Sequence, residues 1–274
     1  MPELPEVETI RRVIAPQICG AAISAVSLFS PAVIAHPQAE AFAAALKGQR
    51  ITAVDRRGKY LIFRLQNGGR VLLHLRMTGC LLVTPPDWPC EKHTHVVFDL
   101  DNGRALRFSD LRRFGRFWYF EQAEEDAISG LSKLGVEPFD PALTGAYLAA
   151  RLSKSRRCIK ECLLDQTVVA GIGNIYADET LFRAGIRPQT PACALSEAQW
   201  ALLAREIPQM IAFAIEKNAI SAEDYLQTRG QDYRNTPFLQ VYGHGKEPCP
   251  RCGQTLIKAT VGGRGTVWCA TCQR

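Results

Sequence analysis

The chain has 274 residues, of which 47% are hydrophobic and 22% charged, a composition typical of soluble globular proteins and not of disordered or fibrous ones. No run approaches the roughly 18 consecutive apolar residues that a membrane-spanning helix needs, and the N-terminus is acidic where a signal peptide would be basic. We therefore expect a cytoplasmic protein with no membrane partner, folded as one large domain or two ordinary ones.

The basic residues are unevenly placed. Lys and Arg outnumber Asp and Glu by 33 to 27, a net charge of +6. Basic side chains concentrate between residues 56 and 116 and again between residues 151 and 160. Two such zones can line one groove for a polyanion such as DNA. Charge alone favours the plainer alternative, a solvated surface.

The first half of the chain predicts a β-domain with a leading helix. Pro5 and the acids Glu6 and Glu8 suit a first helical turn, and the apolar spacing that follows predicts a helix over residues 6–15. One further helix is expected over residues 38–46. Eight strand-like runs occupy the rest of residues 20–120, which predicts a two-layered β-sandwich or a flattened barrel.

The pattern changes near Glu121, where an acidic stretch and a Pro-rich segment resemble a linker. Helical patterns follow at residues 145–153, 159–166, 177–184 and 196–217. The predicted class is α+β. The expected domains are an N-terminal β-sandwich (1–133), a linker (134–144), a helical domain (145–228) and a zinc finger (229–274).

Four of the ten cysteines form the pattern Cys249-x2-Cys252-x16-Cys269-x2-Cys272. This spacing is typical of a tetrahedral zinc site on a short β-hairpin. Two disulfides are the alternative, which a reducing compartment disfavours. A closed four-thiolate site predicts one structural Zn²⁺, and Gly262-Gly263-Arg264-Gly265 predicts a hairpin that carries Arg264 at its tip.

A glycine-rich turn, Gly171-Ile172-Gly173-Asn174, precedes a predicted helix. Such a turn can direct backbone N–H groups and the Asn174 amide at an anion such as a DNA phosphate. An ordinary helix–helix turn is the alternative, and the motif by itself favours it.

Six motifs occur in order along nearly the whole chain: PELPEVET, RRGKYL, HLRMTG, RRFG, the run from LLDQ through GIGNIYADE to LFRAGI, and the four-cysteine finger. Together they resemble the bacterial formamidopyrimidine-DNA glycosylases, which repair 8-oxoguanine. The resemblance implies a helix-two-turn-helix domain, duplex DNA with oxidised bases as the partner, a monomer, and strand cleavage by β,δ-elimination.

The resemblance also implies the catalytic residues. Removal of Met1 leaves Pro2 with a free secondary amine, which can attack C1′ of a deoxynucleotide and leave a cationic imine. Glu3 then donates a proton to the sugar ring oxygen, and Glu6 supports the amine. Lys59 contacts the lesion and donates a proton during β-elimination, and Arg264 grips the flanking phosphates. A helix-start role for Glu6 and solvated loop cations for Lys59 and Arg264 are the alternatives.

A base removed from duplex DNA must leave the stack, so other groups have to fill the gap. The resemblance implies that Met77, Arg112 and Phe114 fill this gap. For Met77 and Phe114, the alternative is packing in the protein core. Leu111 stands where many relatives have proline. Residues matching contacts to the DNA backbone are His93, Arg156, Lys160 and Asn174.

The chain departs from the family at residues 218–224, which read Asn-Ala-Ile-Ser-Ala-Glu-Asp in place of a Gly-Gly-Thr/Ser-rich loop. This loop folds over the flipped base in the family. Two other functions stay open: an endonuclease VIII-like glycosylase for oxidised pyrimidines, and a non-catalytic zinc-finger protein that binds damaged DNA.

Overall fold

The computed structural model describes residues 2–122, 126 and 128–274. They form two compact units. The first unit contains Pro2 and residues 6–132 and 219–233, and the second contains residues 3–5, 133–218 and 234–274. Among these described residues, no helix has both the length and the apolar character to cross a membrane.

The helices and strands of the first unit begin with α1 (Leu4–Ile18), whose first two residues belong to the second unit. The strands are β1 (Ile23–Leu28), β2 (Ile34–His36), β3 (Ile51–Arg57), β4 (Tyr60–Leu65), β5 (Arg70–His74), β6 (Gly79–Thr84), β7 (Thr94–Leu100), β8 (Ala105–Asp110) and β9 (Arg116–Phe120), and the other helices are α2 (Ala39–Leu46) and α7 (Ala222–Gln227).

These strands form two sheets. One has the order β1-β7-β8-β6, and the other has the order β2-β9-β5-β4-β3. Alternate residues of β4, namely Leu61, Phe63 and Leu65, enter the same core as Phe98 and Phe108 of the other sheet. The predicted two-layered sandwich is therefore confirmed.

The sequence located most of these elements but missed two. Strand β2 has three residues and pairs in parallel with β9, and a segment this short shows no alternation. Helix α7 begins at Ala222, within the segment 218–224. Its Tyr225 ring is 4% exposed, and the Tyr225 hydroxyl donates to the Leu81 carbonyl at 3.2 Å, which holds this helix in the first unit.

The second unit is helical with a terminal hairpin. Its elements are α3 (Gly145–Leu152), α4 (Ile159–Leu164), α5 (Asn174–Arg183), α6 (Glu197–Lys217), β10 (Ile257–Val261) and β11 (Arg264–Trp268). Ser196 begins α6 through a capping box with Gln199. Leu203, Ile207 and Ile211 of α6 are completely buried. All four predicted helices and the hairpin are present, with ends displaced by up to three residues.

Candidate functional site

Pro2 lines a cavity of about 460 Å³ in the first unit. Met77 and His93, both assigned to DNA contact from the sequence, line the same cavity. Asp110, Leu111 and Tyr233, which the sequence did not assign to it, complete much of the wall. The structure therefore places the expected nucleophile beside two expected DNA-contacting residues.

Glu6 lies in the first turn of α1 and is 3% exposed. Burial raises the pKa of Tyr233, and the nearby negative charge of Glu6 raises it further. Tyr233 therefore keeps its proton at neutral pH and can donate a hydrogen bond at the cavity wall.

Lys59 follows β3 in the turn to β4 and is 7% exposed. The turn needs Gly58, whose φ is 55°. Arg56 holds it, because its guanidinium donates to the Gly58 carbonyl at 3.0 Å and pairs with Glu8 at 3.3 Å. This support could not be predicted from local sequence patterns, since Glu8 and Arg56 are far apart along the chain.

The arginines around Glu8 stabilise its charged form. Burial by itself would raise the pKa of Glu8, but hydrogen bonds from Arg11 and Arg12 and the charge of Arg56 outweigh it and lower the pKa to about 2. Burial lowers the pKa of His74 to about 3, assisted by the positive charges of Arg76 and Lys59. His74 is therefore neutral at pH 7, and its Nδ1 accepts a hydrogen bond from the Arg76 N–H at 3.0 Å.

In the second unit, the Glu3 carboxylate lies on the N-terminus of α5. It accepts hydrogen bonds from the N–H groups of Gly173, Ile175 and Tyr176 at 2.7, 3.0 and 3.4 Å. A Cβ at Gly173 would stand 2.3 Å from the Glu3 carboxyl carbon, so this position has room only for glycine. From the sequence, a site for an anion such as a DNA phosphate is one interpretation of this turn, and an ordinary helix–helix turn is the interpretation that the motif by itself favours. In the structure the anion is the carboxylate of Glu3.

The expected void-filling residues are exposed. Met77 is 38% and Phe114 47% exposed, so core packing does not explain either side chain. The Arg112 guanidinium lies 4.5 Å from the centre of the Phe114 ring, a cation–π contact that orients both groups. Leu111 is 64% exposed beside them.

The sequence analysis expects Lys160 to contact the DNA backbone. In the structure its side chain is completely buried. Its ammonium pairs with Asp178 at 2.7 Å and donates to Thr266 Oγ1 at 2.6 Å and to the Gly265 carbonyl at 3.2 Å. Burial lowers the pKa of Lys160 and raises the pKa of Asp178 to about 6, while each charge favours the other. The Lys160 ammonium thus faces β11 and is enclosed by protein.

The other expected contact residues of the second unit lie near this hairpin or on the surface. Arg156 and Arg264 are exposed, and Asn174 is partly exposed. The Asn174 amide donates to the Gly265 carbonyl at 2.9 Å. Together with Lys160, it fixes the strand that carries Arg264.

The four finger cysteines converge. Their Sγ atoms all lie within 4.8 Å of one another, with 3.9 Å between Cys249 and Cys272 and 3.4 Å between Cys252 and Cys269. Zinc–sulfur bonds of about 2.3 Å in a tetrahedron separate the sulfurs by roughly 3.8 Å. The donor set therefore fits one structural Zn²⁺, as the spacing predicted.

The segment 218–224 contains the capped start of helix α7. Ser221 Oγ accepts from the Asp224 N–H at 3.0 Å and begins α7. Glu223 is exposed and accepts from the Gln227 amide at 3.2 Å. Gly230, Gln231 and Tyr233, just after α7, line the Pro2 cavity.

Comparisons with known proteins match the whole chain. The profile of the formamidopyrimidine-DNA glycosylase N-terminal domain matches residues 1–117, the profile of the H2TH domain of these enzymes matches residues 134–225, and that of a zinc finger found in FPG and IleRS matches residues 246–274.

Curated relatives named formamidopyrimidine-DNA glycosylase include one from Moorella thermoacetica, 48% identical over 93% of each chain. Another, from Geobacillus kaustophilus, is 46% identical over 100% of each chain. The fold matches that of the Lactococcus lactis FPG (MutM) in complex with DNA containing an oxidised pyrimidine, with a TM-score of 0.91 and 36% identity over 100% of both chains. A complex of the L. lactis protein with Fapy-dG-containing DNA gives a TM-score of 0.89 and 35% identity over 99% of this chain and 100% of that one. The chain belongs to the formamidopyrimidine-DNA glycosylase family.

Proposed function

We propose that the chain is a base-excision-repair enzyme that removes oxidised purines, 8-oxoguanine and formamidopyrimidines, from duplex DNA. It then cleaves the strand by β,δ-elimination through an imine with Pro2. The observation that carries this proposal is the position of Pro2 in the wall of a cavity that Met77 and His93 also line.

The reaction starts at the amine that removal of Met1 leaves on Pro2. The amine attacks C1′, the bond from C1′ to the base breaks, and the base departs with its electron pair. The nitrogen then loses its proton as the C1′=N bond forms, and the ring oxygen gains a proton as the sugar opens. Glu3, the next residue, can carry this proton. The three N–H donors at α5 hold its carboxyl group in place, and this group can accept a proton before it donates one.

Strand cleavage follows from the cationic imine. It withdraws electrons from C2′, so loss of a C2′ proton expels the 3′ phosphate, and a second elimination expels the 5′ phosphate. In this proposal Lys59 donates the proton for the first elimination, Arg264 assists the second, and Glu6 supports the amine. The turn held by Arg56 and Glu8 keeps Lys59 in place.

The DNA contacts divide into two kinds. Met77, Arg112 and Phe114 fill the space left by the flipped base, and exposed or partly exposed His93, Arg156 and Asn174 contact the backbone. We assign Lys160 a supporting role, because its ammonium is enclosed and fixes β11.

We also propose that the protein acts as a monomer in the bacterial cytoplasm. Its mass in solution tests the first part of this proposal, and cell fractionation tests the second.

The experiment that tests this function is trapping with borohydride. Protein whose mature N-terminus is Pro2 is compared with the same protein carrying an N-terminal extension. With an 8-oxoguanine:cytosine duplex, the mature protein should cleave the strand and give a covalent adduct on reduction. The extended protein should bind the duplex but neither cleave nor trap. Cleavage by the extended protein contradicts the role of Pro2.

A second substrate class has one observation in its favour, since a solved relative is described in complex with DNA that contains an oxidised pyrimidine. Release of 8-oxoguanine and thymine glycol from otherwise identical duplexes decides between the two. Faster release of thymine glycol favours the endonuclease VIII-like alternative. If borohydride never traps a covalent adduct between the protein and DNA, the protein is a binding module.

A further inference from the structure

Asp110 lies where two exposed loops leave the first sheet. It ends β8, and the loop after it carries Arg112 and Phe114. The neighbouring strand β6 begins at Gly79, directly after the turn that carries Met77. Gly79 and Asp110 are paired in the sheet register, so both loops start at the same place.

The Asp110 side chain joins these loops. It is 1% exposed, and its Oδ1 accepts hydrogen bonds from the Thr78 hydroxyl and, at 3.1 Å, from the Arg112 N–H. Its Oδ2 accepts from the Gly115 N–H at 2.8 Å. One buried carboxylate thus bonds the Met77 turn and both ends of the Arg112–Phe114 loop.

The Asp110 backbone is fixed as well. Its N–H donates to the His93 carbonyl at 3.0 Å, and its own carbonyl lies 2.7 Å from His95 Nε2. The Arg113 N–H reaches the same carbonyl at 3.3 Å, and Arg113 has a φ of 55°, in the left-handed region. The loop shape that exposes Leu111, Arg112 and Phe114 is therefore set around Asp110.

We propose that Asp110 is a positioning residue that makes the Met77 turn and the Arg112–Phe114 loop one rigid body. The inference rests on the proposed function, in which these side chains enter the DNA duplex as the damaged base leaves the base stack. Side chains that are already held together lose less conformational freedom when they fill the vacated space than side chains on two independent loops. A buried carboxylate suits this task, since hydrogen bonds to a charged acceptor are the stronger kind.

Three variants test the proposal. Asp110→Asn keeps the size of the side chain but removes its charge and one of its acceptors. Thr78→Val replaces the hydroxyl that bridges the loops with a methyl group. Thr78→Ser keeps this hydroxyl and is the matched control. Single-turnover excision of 8-oxoguanine from a duplex is measured together with the fluorescence of 2-aminopurine beside the lesion, which reports unstacking without requiring chemistry. Cleavage of a preformed abasic site in a single strand is the control, because it needs no filled gap.

Loss of a hydrogen bond to a charged group predicts that unstacking and excision slow roughly tenfold or more in Asp110→Asn and Thr78→Val. Thr78→Ser should stay within about twofold of the parent in unstacking, excision and abasic-site cleavage, and Thr78→Val should stay within about twofold in abasic-site cleavage. Unchanged unstacking in both Asp110→Asn and Thr78→Val overturns the proposal. So does an equal loss of excision and abasic-site cleavage in Thr78→Val, which indicates a general defect. If the parent protein unstacks the lesion but never cleaves, the proposed function fails while the positioning role is still measured.

Discussion

Replacing Glu8 with glutamine tests the electrostatic support beneath the Lys59 turn. The variant keeps the shape of the side chain but removes the charge that faces Arg11, Arg12 and Arg56. The pKa of Glu8 is lowered from 4.5 to about 2. At 1.36 kcal/mol per pKa unit, this corresponds to at most about 3 kcal/mol of folding free energy at pH 7. Because the Arg12 side chain is 59% exposed, screening reduces the expected loss to roughly 2 kcal/mol.

The pH dependence gives this prediction its sign. A carboxyl group whose pKa is lower in the folded protein stabilises the fold above its unfolded pKa, and it loses that effect as the pH falls through its folded pKa. Urea unfolding of the parent and of Glu8→Gln should therefore differ fully at pH 5 and above. Roughly 40% of the difference should remain at pH 3.

Glu40→Gln is the matched control, because Glu40 is exposed in the first turn of α2, and we expect its effect to stay below about 1 kcal/mol. A Glu8→Gln difference that is equally large at pH 3 and pH 7 refutes the electrostatic reasoning. A difference at pH 7 no larger than that of the control refutes it too.

Three further predictions concern DNA binding and the hairpin. Removal of zinc by a chelator, or Cys249→Ser, should disorder the hairpin that carries Arg264 and raise the Kd for lesion DNA in fluorescence anisotropy; an unchanged Kd contradicts this. Lys160→Met should cost about 3–5 kcal/mol in urea unfolding, because it leaves Asp178 buried without its partner. The double variant with Asp178→Leu should recover part of this loss, and failure to recover it argues against the ion pair as the cause. If about five phosphates are contacted, a plot of log Kd against log salt concentration should have a slope of roughly 4–5, and a flat plot excludes a basic groove.

Local patterns predicted most of the fold. Eight strands and the main helices follow from the spacing of apolar residues, which is a property of neighbouring positions. Strand β2 is too short to show such a pattern. Helix α7 carries the signal Ser221-x-x-Asp224, a helix start that sequence reading could have recognised. Its packing through Tyr225 onto β6 was not predictable, because the Leu81 partner is remote in sequence.

The residues of the candidate site also differ in whether local sequence patterns could predict them. The zinc ligands follow from local spacing, whereas Pro2, Glu3 and Lys59 come from the resemblance to the family. Lys160 ends a basic run in which Arg156 is exposed, and nothing local distinguishes the two. Burial of Lys160 depends on Asp178 and on the hairpin. The supports at Glu8 and Asp110 were missed for the same reason, since their partners Arg56 and Thr78 are remote from them in the sequence.

The missing side chain at Gly173 has a consequence for reading variants of this protein. The φ of Gly173 is −128°, which any amino acid adopts, so an alanine there would satisfy the backbone. It would instead occupy the space taken by the carboxylate of Glu3. A substitution in the middle of the chain would therefore behave as an N-terminal mutation. A survey of inactive variants should group position 173 with position 3, although nothing in their spacing along the chain connects them.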